Sequence, residues 1–326
     1  MTFSEINQPN PLNERRKEGM VSLKKEWNNL YSENDHHALA LINDGDLEFP
    51  TLYVLREDIK EKKCQHLLIE RNQLALHHIE NILHETNLGI AEHKHFSDQH
   101  YVILSSFRWM LDTGAAASLN NGYIKVIDGA VIQMLLTYQQ NIAKDVVDLI
   151  FRRKRSHQQS HYLLCALQEN ADPNCLFYIA NYLLSNNQND VLFAAKLLHF
   201  IPGMAHAATK PEAVALFEGW MEDNHRYLVY TGETSDVSPM PRPYKVNLAA
   251  KYLGKPVSLE DGESLQSLSN KEKERWQQFS QLTDGTKEQL ASLSAHYRQN
   301  HRNEWYEWMA SPLEQHIALL DKGGIT

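Results

Sequence analysis

Apolar residues recur at helical spacing along most of the chain, and the polar positions between them fall on the opposite faces. Asn10-Pro11 opens a charged helix running to about Tyr31, with Met20, Leu23, Trp27 and Leu30 on one face. The stretch Asp44–Leu55 reads as the one extended piece near the start, because the Asp44-Gly45 turn signal is followed by Phe49-Pro50-Thr51-Leu52-Tyr53-Val54. A long helix is then expected from about Glu57 to Thr86, stopped by Asn87 and Gly89, and another from Ser97 to near Gly114. Further helices are expected at about 125–139, 142–153, 157–169, 173–185, 190–200 and 210–223. Beyond Tyr227–Tyr244, where Gly232, Pro239, Pro241 and Pro243 interrupt the pattern, helices resume at about 244–253, 270–282, 286–299 and 303–321. The interruption is read as a domain linker or a long surface loop.

The segment Asp172–Leu198 gives the clearest local motif: two short apolar helices with a polar turn between them. Asp172 and Pro173 supply a start signal for the first, and Asn189 or Asp190 one for the second. Such a hairpin cannot bury both faces alone and implies stacking on similar neighbours. A shift of 45 residues lays Asp145-Val146-Val147-Asp148 over Asp190-Val191-Leu192-Phe193, and Val131, Ile132, Met134 and Tyr138 over Leu176, Phe177, Ile179 and Leu183. On these residues the span 123–223 resembles the HEAT/armadillo class of α-solenoids, although Leu192 stands where a HEAT consensus places an arginine. The resemblance implies a helical superhelix with a groove for partners, usually proteins. The expected organisation is an N-terminal helical region 1–96, a HEAT-like array 97–226, a loop or linker 227–244 and a C-terminal helical region 245–326.

Composition narrows the class. An apolar fraction of 42% and a charged fraction of 22% belong to a folded chain. No run of roughly 18 uncharged apolar residues is present, so no spanning helix and no membrane partner are expected. The start, Met1-Thr2-Phe3-Ser4-Glu5-Ile6, lacks the basic-then-apolar pattern of a secretory signal. Three unpaired cysteines, Cys64, Cys165 and Cys175, argue against a disulfide framework, and with them the expectation is a cytoplasmic protein. A net charge of −9 gives no overall attraction for polyanions.

Five groups of residues carry candidate chemistry. Arg152-Arg153-Lys154-Arg155 is the sharpest basic run, either a phosphate-contacting patch or a set of cations complementing a helix C-terminus. Trp305, Tyr306, Trp308 and Met309 place Trp305, Trp308 and Met309 on one helix face, the spacing of core residues or, if exposed, of interface anchors. His157, His161 and Cys165 follow each other at four-residue steps that can converge on one ion, while the neighbouring cations oppose it. His77, His78, Glu80, His84 and Glu85, followed by His93, His95 and His100, form a second histidine-rich stretch without a His-Glu-x-x-His order. Thr231-Gly232-Glu233-Thr234-Ser235 is a polar loop able to bind an anion, although the surrounding prolines make a structured loop the simpler account. Gly-rich phosphate loops and the Gly-x-Ser-x-Gly elbow are both missing.

The expectation is therefore an all-α protein acting as a non-catalytic protein-interaction scaffold, with no catalytic residue, metal or cofactor assigned. The candidate binding residues are Arg152, Arg153, Lys154 and Arg155 as a basic patch, and Trp305 and Trp308 as interface anchors. A nucleic-acid-binding helical-repeat protein is the first alternative, and a metal-dependent hydrolase built on the histidines is the second.

Overall fold

Helices dominate the computed structural model, which describes residues 9–84 and 100–321. Seventeen α-helices and one two-stranded antiparallel ribbon are present among the described residues, so the protein is all-α. Contacts divide the chain into two units, 1–149 and 150–326. The division falls within the span that resembles a solenoid, and the segment 227–244 lies wholly inside the second unit.

The first unit holds α1 (Pro11–Glu18), α2 (Met20–Glu33), α3 (Asp35–Ile42), α4 (Phe49–Glu61), α5 (Glu70–His84), α6 (His100–Gly114) and α7 (Asn121–Ile132), then the first part of α8 (Ala143–Arg155). Gly19, at φ 144°, ends α1 and splits the helix expected over 10–31 into two. The 44–55 stretch departs from its sequence reading. Phe49–Leu55 is helical and buried, with Pro50 in the first turn, where a missing N–H breaks no intrahelical bond. The Asp44-Gly45 turn signal suggested an extended piece, but the aromatic and apolar side chains that follow need burial on several sides. They find it in an aromatic cluster: the Phe49 ring stacks on Tyr123 at 5.6 Å, and Tyr53 meets Tyr123 edge-on at 4.9 Å. The long helix expected from Glu57 is also interrupted. Lys63 takes φ 53°, a short 3₁₀ turn follows at Gln65–Leu67, and α5 restarts at Glu70. The stop assigned to Asn87 and Gly89, and the Ser97 start, lie outside the described residues.

The second unit continues with α9 (His161–Glu169), α10 (Cys175–Ala180), α11 (Gln188–Leu197), α12 (Lys210–Asn224), α13 (Leu248–Leu253), α14 (Asn270–Ser280), α15 (Asp284–Asn300), α16 (Arg302–Ala310) and α17 (Leu313–Asp321). The ribbon pairs β1 (Leu228–Tyr230) with β2 (Tyr244–Val246), in the register Leu228↔Val246, Val229↔Lys245 and Tyr230↔Tyr244. The proline-rich segment is thus the loop of a long hairpin, tied at its base by Thr231 N–H donating to Pro243 O at 3.0 Å.

In the 172–198 hairpin, Asn187 rather than Asn189 or Asp190 caps the second helix, its side chain accepting from the Asn189 N–H at 3.0 Å. Asp190 has another task. It is 1% exposed and accepts from Arg155 Nη2 at 2.7 Å and Ser185 Oγ at 2.8 Å, joining the end of α8 to the start of α11. Burial alone would raise its pKa, but these bonds win and hold it below the usual carboxylate range.

The C-terminal helices close on Tyr252, Leu253, Phe279, Leu290, Ala291, Trp308 and Leu313. His316 is inserted in this core, 0% exposed, its ring stacked on Trp308 at 4.0 Å. Its Nε2–H donates to Trp308 O at 2.6 Å, which leaves Nδ1 to accept from the Tyr252 hydroxyl.

Candidate anion-binding site

A hollow of about 710 Å³ in the second unit opens among the C-terminal helices. Each element is built for its place. At the C-terminus of α13, Gly254 adopts φ 68°, a left-handed cap that glycine takes without steric cost. A Cβ there would also stand 2.6 Å from Arg298 Nη1, so the same glycine makes room for the arginine. At the start of α14, Ser269 and Glu272 form a reciprocal capping box that fixes the first turn and the adjoining Lys271. The end of α15 supplies Arg298, and α16 supplies Arg302, Trp305, Tyr306 and Met309. Arg226, just before β1, completes the rim.

Six cations, Arg226, Lys255, Lys271, Arg275, Arg298 and Arg302, line this hollow against a single carboxylate, Glu272. Three of them are held from behind. Arg275 donates to the carbonyls of Met309 and, at 2.6 Å, Ser311. Arg298 donates to Lys251 O at 3.1 Å and to the Tyr227 hydroxyl at 3.0 Å, with its guanidinium 5.6 Å from the centre of the Trp305 ring. Burial lowers the pKa of Arg298, yet a guanidinium keeps its charge at any pH a folded protein meets. Lys255 pairs with Glu272 at 3.0 Å. Burial opposes ionisation of Glu272, but its bonds to Ser269 and Lys255 prevail and keep its pKa below the ordinary value. The carboxylate is therefore ionised and committed. Arg226, Lys271 and Arg302 are exposed and form no ion pair among the described residues.

Trp305 is fixed as a wall. Its indole N–H donates to Ser294 Oγ at 2.9 Å, and Ser294 in turn donates to Tyr252 O at 2.6 Å. Tyr306 is 54% exposed and meets Trp305 edge-on at 5.1 Å. Together, cations and flat apolar faces suit a ligand that carries anionic groups and a ring.

The first unit has a second hollow, of about 640 Å³, beside Tyr101, Trp109 and Met134. Its lining arginine, Arg108, is paired with Asp112 at 3.0 Å and Asp145 at 2.8 Å, so it carries little free positive charge.

The sequence candidates are dispersed by the helices that carry them. Arg153 is 2% exposed and donates to Gln158 Oε1 at 2.9 Å, and Arg155 is bound to Asp190. Lys154 lies over the Phe193 ring at 5.2 Å, while Arg152 is exposed. The four do not share one face. Trp305 lines the basic hollow, whereas Trp308, 8% exposed, belongs to the core beneath it. In α5, His78 is buried with Nε2 3.0 Å from Val126 O, and exposed His84 pairs with Glu80 at 3.0 Å. Glu85, His93 and His95 lie outside the described residues. The polar 231–235 loop stands at the hairpin base, with Thr231 Oγ1 donating to Arg242 O at 2.6 Å.

His157, at φ 54°, lies in the turn after α8 and does not join His161 on a helix. His161 and Cys165 do share a helical face, and the third member of their group is Asp236 from the hairpin loop. His161 Nε2 lies 2.7 Å from Asp236 Oδ1 and 3.8 Å from Cys165 Sγ. No family model, curated protein or solved structure matches the chain.

Proposed function

We propose that the protein is a non-catalytic binding protein whose C-terminal hollow takes a phosphate-bearing ligand with a planar ring, of the nucleotide class. The observation that carries this reading is the convergence of six cations on one hollow in a chain of net charge −9. Charge-assisted hydrogen bonds to phosphate oxygens are the strong ones, and arginine's fork matches them bidentately. The volume of about 710 Å³ suits a small molecule of nucleotide size. Among the lining residues Glu272 is the one carboxylate, and its commitment to Lys255 and the α14 cap leaves it unsuited to act as a base. This favours binding over catalysis.

Calorimetry with inorganic tripolyphosphate, a nucleoside triphosphate and the matching nucleoside tests the reading. Tripolyphosphate and the nucleotide bind, the nucleotide more tightly through the Trp305–Tyr306 wall, and the uncharged nucleoside does not. Affinity falls as salt rises, because the ligand displaces bound counterions. Absence of heat with both polyanions at low ionic strength refutes the reading.

A second reading, a protein scaffold built on a HEAT-like array, draws support from the surface of 157–223. Phe177 is 42% exposed, Leu184 57% and Leu192 60%. Large apolar side chains left open on consecutive helices suit a protein partner.

A further inference from the structure

The group at the base of α9 is a set of three different donors. Cys165 offers a sulfur, 5% exposed; His161 offers Nε2 and Asp236 a carboxylate oxygen, on side chains about half exposed. All three ligand atoms lie within 4.8 Å of one another, and this is the one such grouping found among the described residues.

The partners come from elements 75 residues apart, which a chance i, i+4 pair on a helix would not require. The loop is also anchored independently beside α9. Ser235 N–H donates to the buried Gln168 Oε1 at 2.8 Å, and the Val237 and Ser238 N–H groups both donate to Thr234 O at 3.0 Å. Thr234 is itself 6% exposed. Asp236 is therefore carried on a tight, pinned turn and delivered to a helix that already presents imidazole and thiol one turn apart.

The distances can be set against what a small ion needs. With metal–sulfur and metal–nitrogen bonds of roughly 2.3 and 2.0 Å in tetrahedral geometry, sulfur and nitrogen stand about 3.5 Å apart. The observed 3.8 Å is within a side-chain adjustment of that. Nitrogen and oxygen ligands stand about 3.3 Å apart in the same geometry, so the 2.7 Å His161–Asp236 contact must open by roughly 0.6 Å. Both side chains are exposed enough to make that movement. A thiolate with an imidazole selects borderline and soft ions over magnesium or calcium. His161 and His199 both line a hollow of about 240 Å³ beside the group. Lys196 lines the same hollow and opposes the ion, and burial together with Asp236 pushes the Cys165 thiol up to about 12, so the ion must draw the thiol proton off as it binds.

We propose that His161, Cys165 and Asp236 hold one divalent cation of the zinc class, fastening the 231–243 hairpin loop to α9. The thiol proton leaves to solvent on coordination. This site is separate from the basic hollow, and neither depends on the other.

The test uses the full chain, purified without an affinity tag, stripped with a chelator and dialysed. Zinc is titrated in competition with a chromophoric chelator, and cobalt is titrated separately for its thiolate charge-transfer absorption. One zinc per chain binds with Kd below about 10 µM, and cobalt gives the thiolate band. Cys165→Ser abolishes the band. Because Cys165 is buried and its replacement disturbs packing, His161→Asn and Asp236→Asn provide the surface counterparts, each weakening zinc at least about tenfold. His157→Asn leaves affinity unchanged. Zinc weaker than about 10 µM in the unaltered chain, or affinity indifferent to both surface variants, overturns the proposal.

Discussion

Lowering the pH from 7 to 5 destabilises the C-terminal helices by about 2 kcal/mol through one imidazole, His316. Burial in the Trp308–Tyr252 core pushes its pKa from the ordinary 6.5 down to about 4. The bond to Trp308 O pulls the other way without prevailing. Between these two values the unfolded chain binds a proton that the folded chain refuses. The stabilisation is therefore complete above about pH 6.5, declines as pH falls, and is exhausted near pH 4. Protonation would also place a hydrogen on Nδ1, where the Tyr252 hydroxyl now donates. Urea midpoints followed by tryptophan fluorescence at pH 7 and pH 5 measure the effect. His316→Gln lowers the midpoint at pH 7, because stacking and packing are lost, but removes most of the additional loss at pH 5. An unchanged difference between the two pH values in the variant would show that His316 is not the group responsible. Asp190 and Glu272 have depressed pKa values, so their stabilisation is present above the usual carboxylate range and is lost at lower pH than that of His316.

Reversing two exposed cations of the basic hollow, Lys271→Glu with Arg302→Glu, removes polyanion binding while leaving the fold intact. Neither side chain forms an ion pair among the described residues, so the stability change stays within about 0.5 kcal/mol. A charge-assisted hydrogen bond contributes about 1.5–3 kcal/mol, which converts to roughly tenfold to a hundredfold in affinity for each cation neutralised. Reversal adds repulsion, and the double variant falls below detection in calorimetry with tripolyphosphate. Arg275→Ala behaves differently: its guanidinium supports the carbonyls of Met309 and Ser311, so this variant loses stability as well as affinity. Retention of tripolyphosphate affinity in the double-reversal variant would move the site elsewhere.

Helical periodicity made the all-α class legible, because each amphipathic face reports burial through local spacing alone. The pattern over Phe49–Leu55 misled for a physical reason: a helix buried on nearly every side shows no polar face, and its β-branched and aromatic residues imitate a strand. The β1–β2 ribbon was hidden by the opposite problem, since three-residue strands are too short to display alternation. Basic residues misled by adjacency. Consecutive residues on a helix point about 100° apart, so Arg152, Arg153, Lys154 and Arg155 spread around α8 and one of them enters the core. The cations that do converge sit at 226, 255, 271, 275, 298 and 302, on separate elements of the second unit that only the tertiary fold assembles. Trp305 was within reach of spacing arguments, but its separation from Trp308 into pocket wall and core depends on where α16 packs. Asp236 carried no signal beyond its place in a loop among prolines.

Hydrogen–deuterium exchange of the full chain with and without tripolyphosphate tests the central claim most directly, because it locates the ligand without altering any residue. The account predicts slower exchange at 254–255, 269–275 and 298–309, the segments that line the basic hollow, and no change at 152–155. Protection centred on 152–155, or none around the hollow at saturating tripolyphosphate, would contradict it.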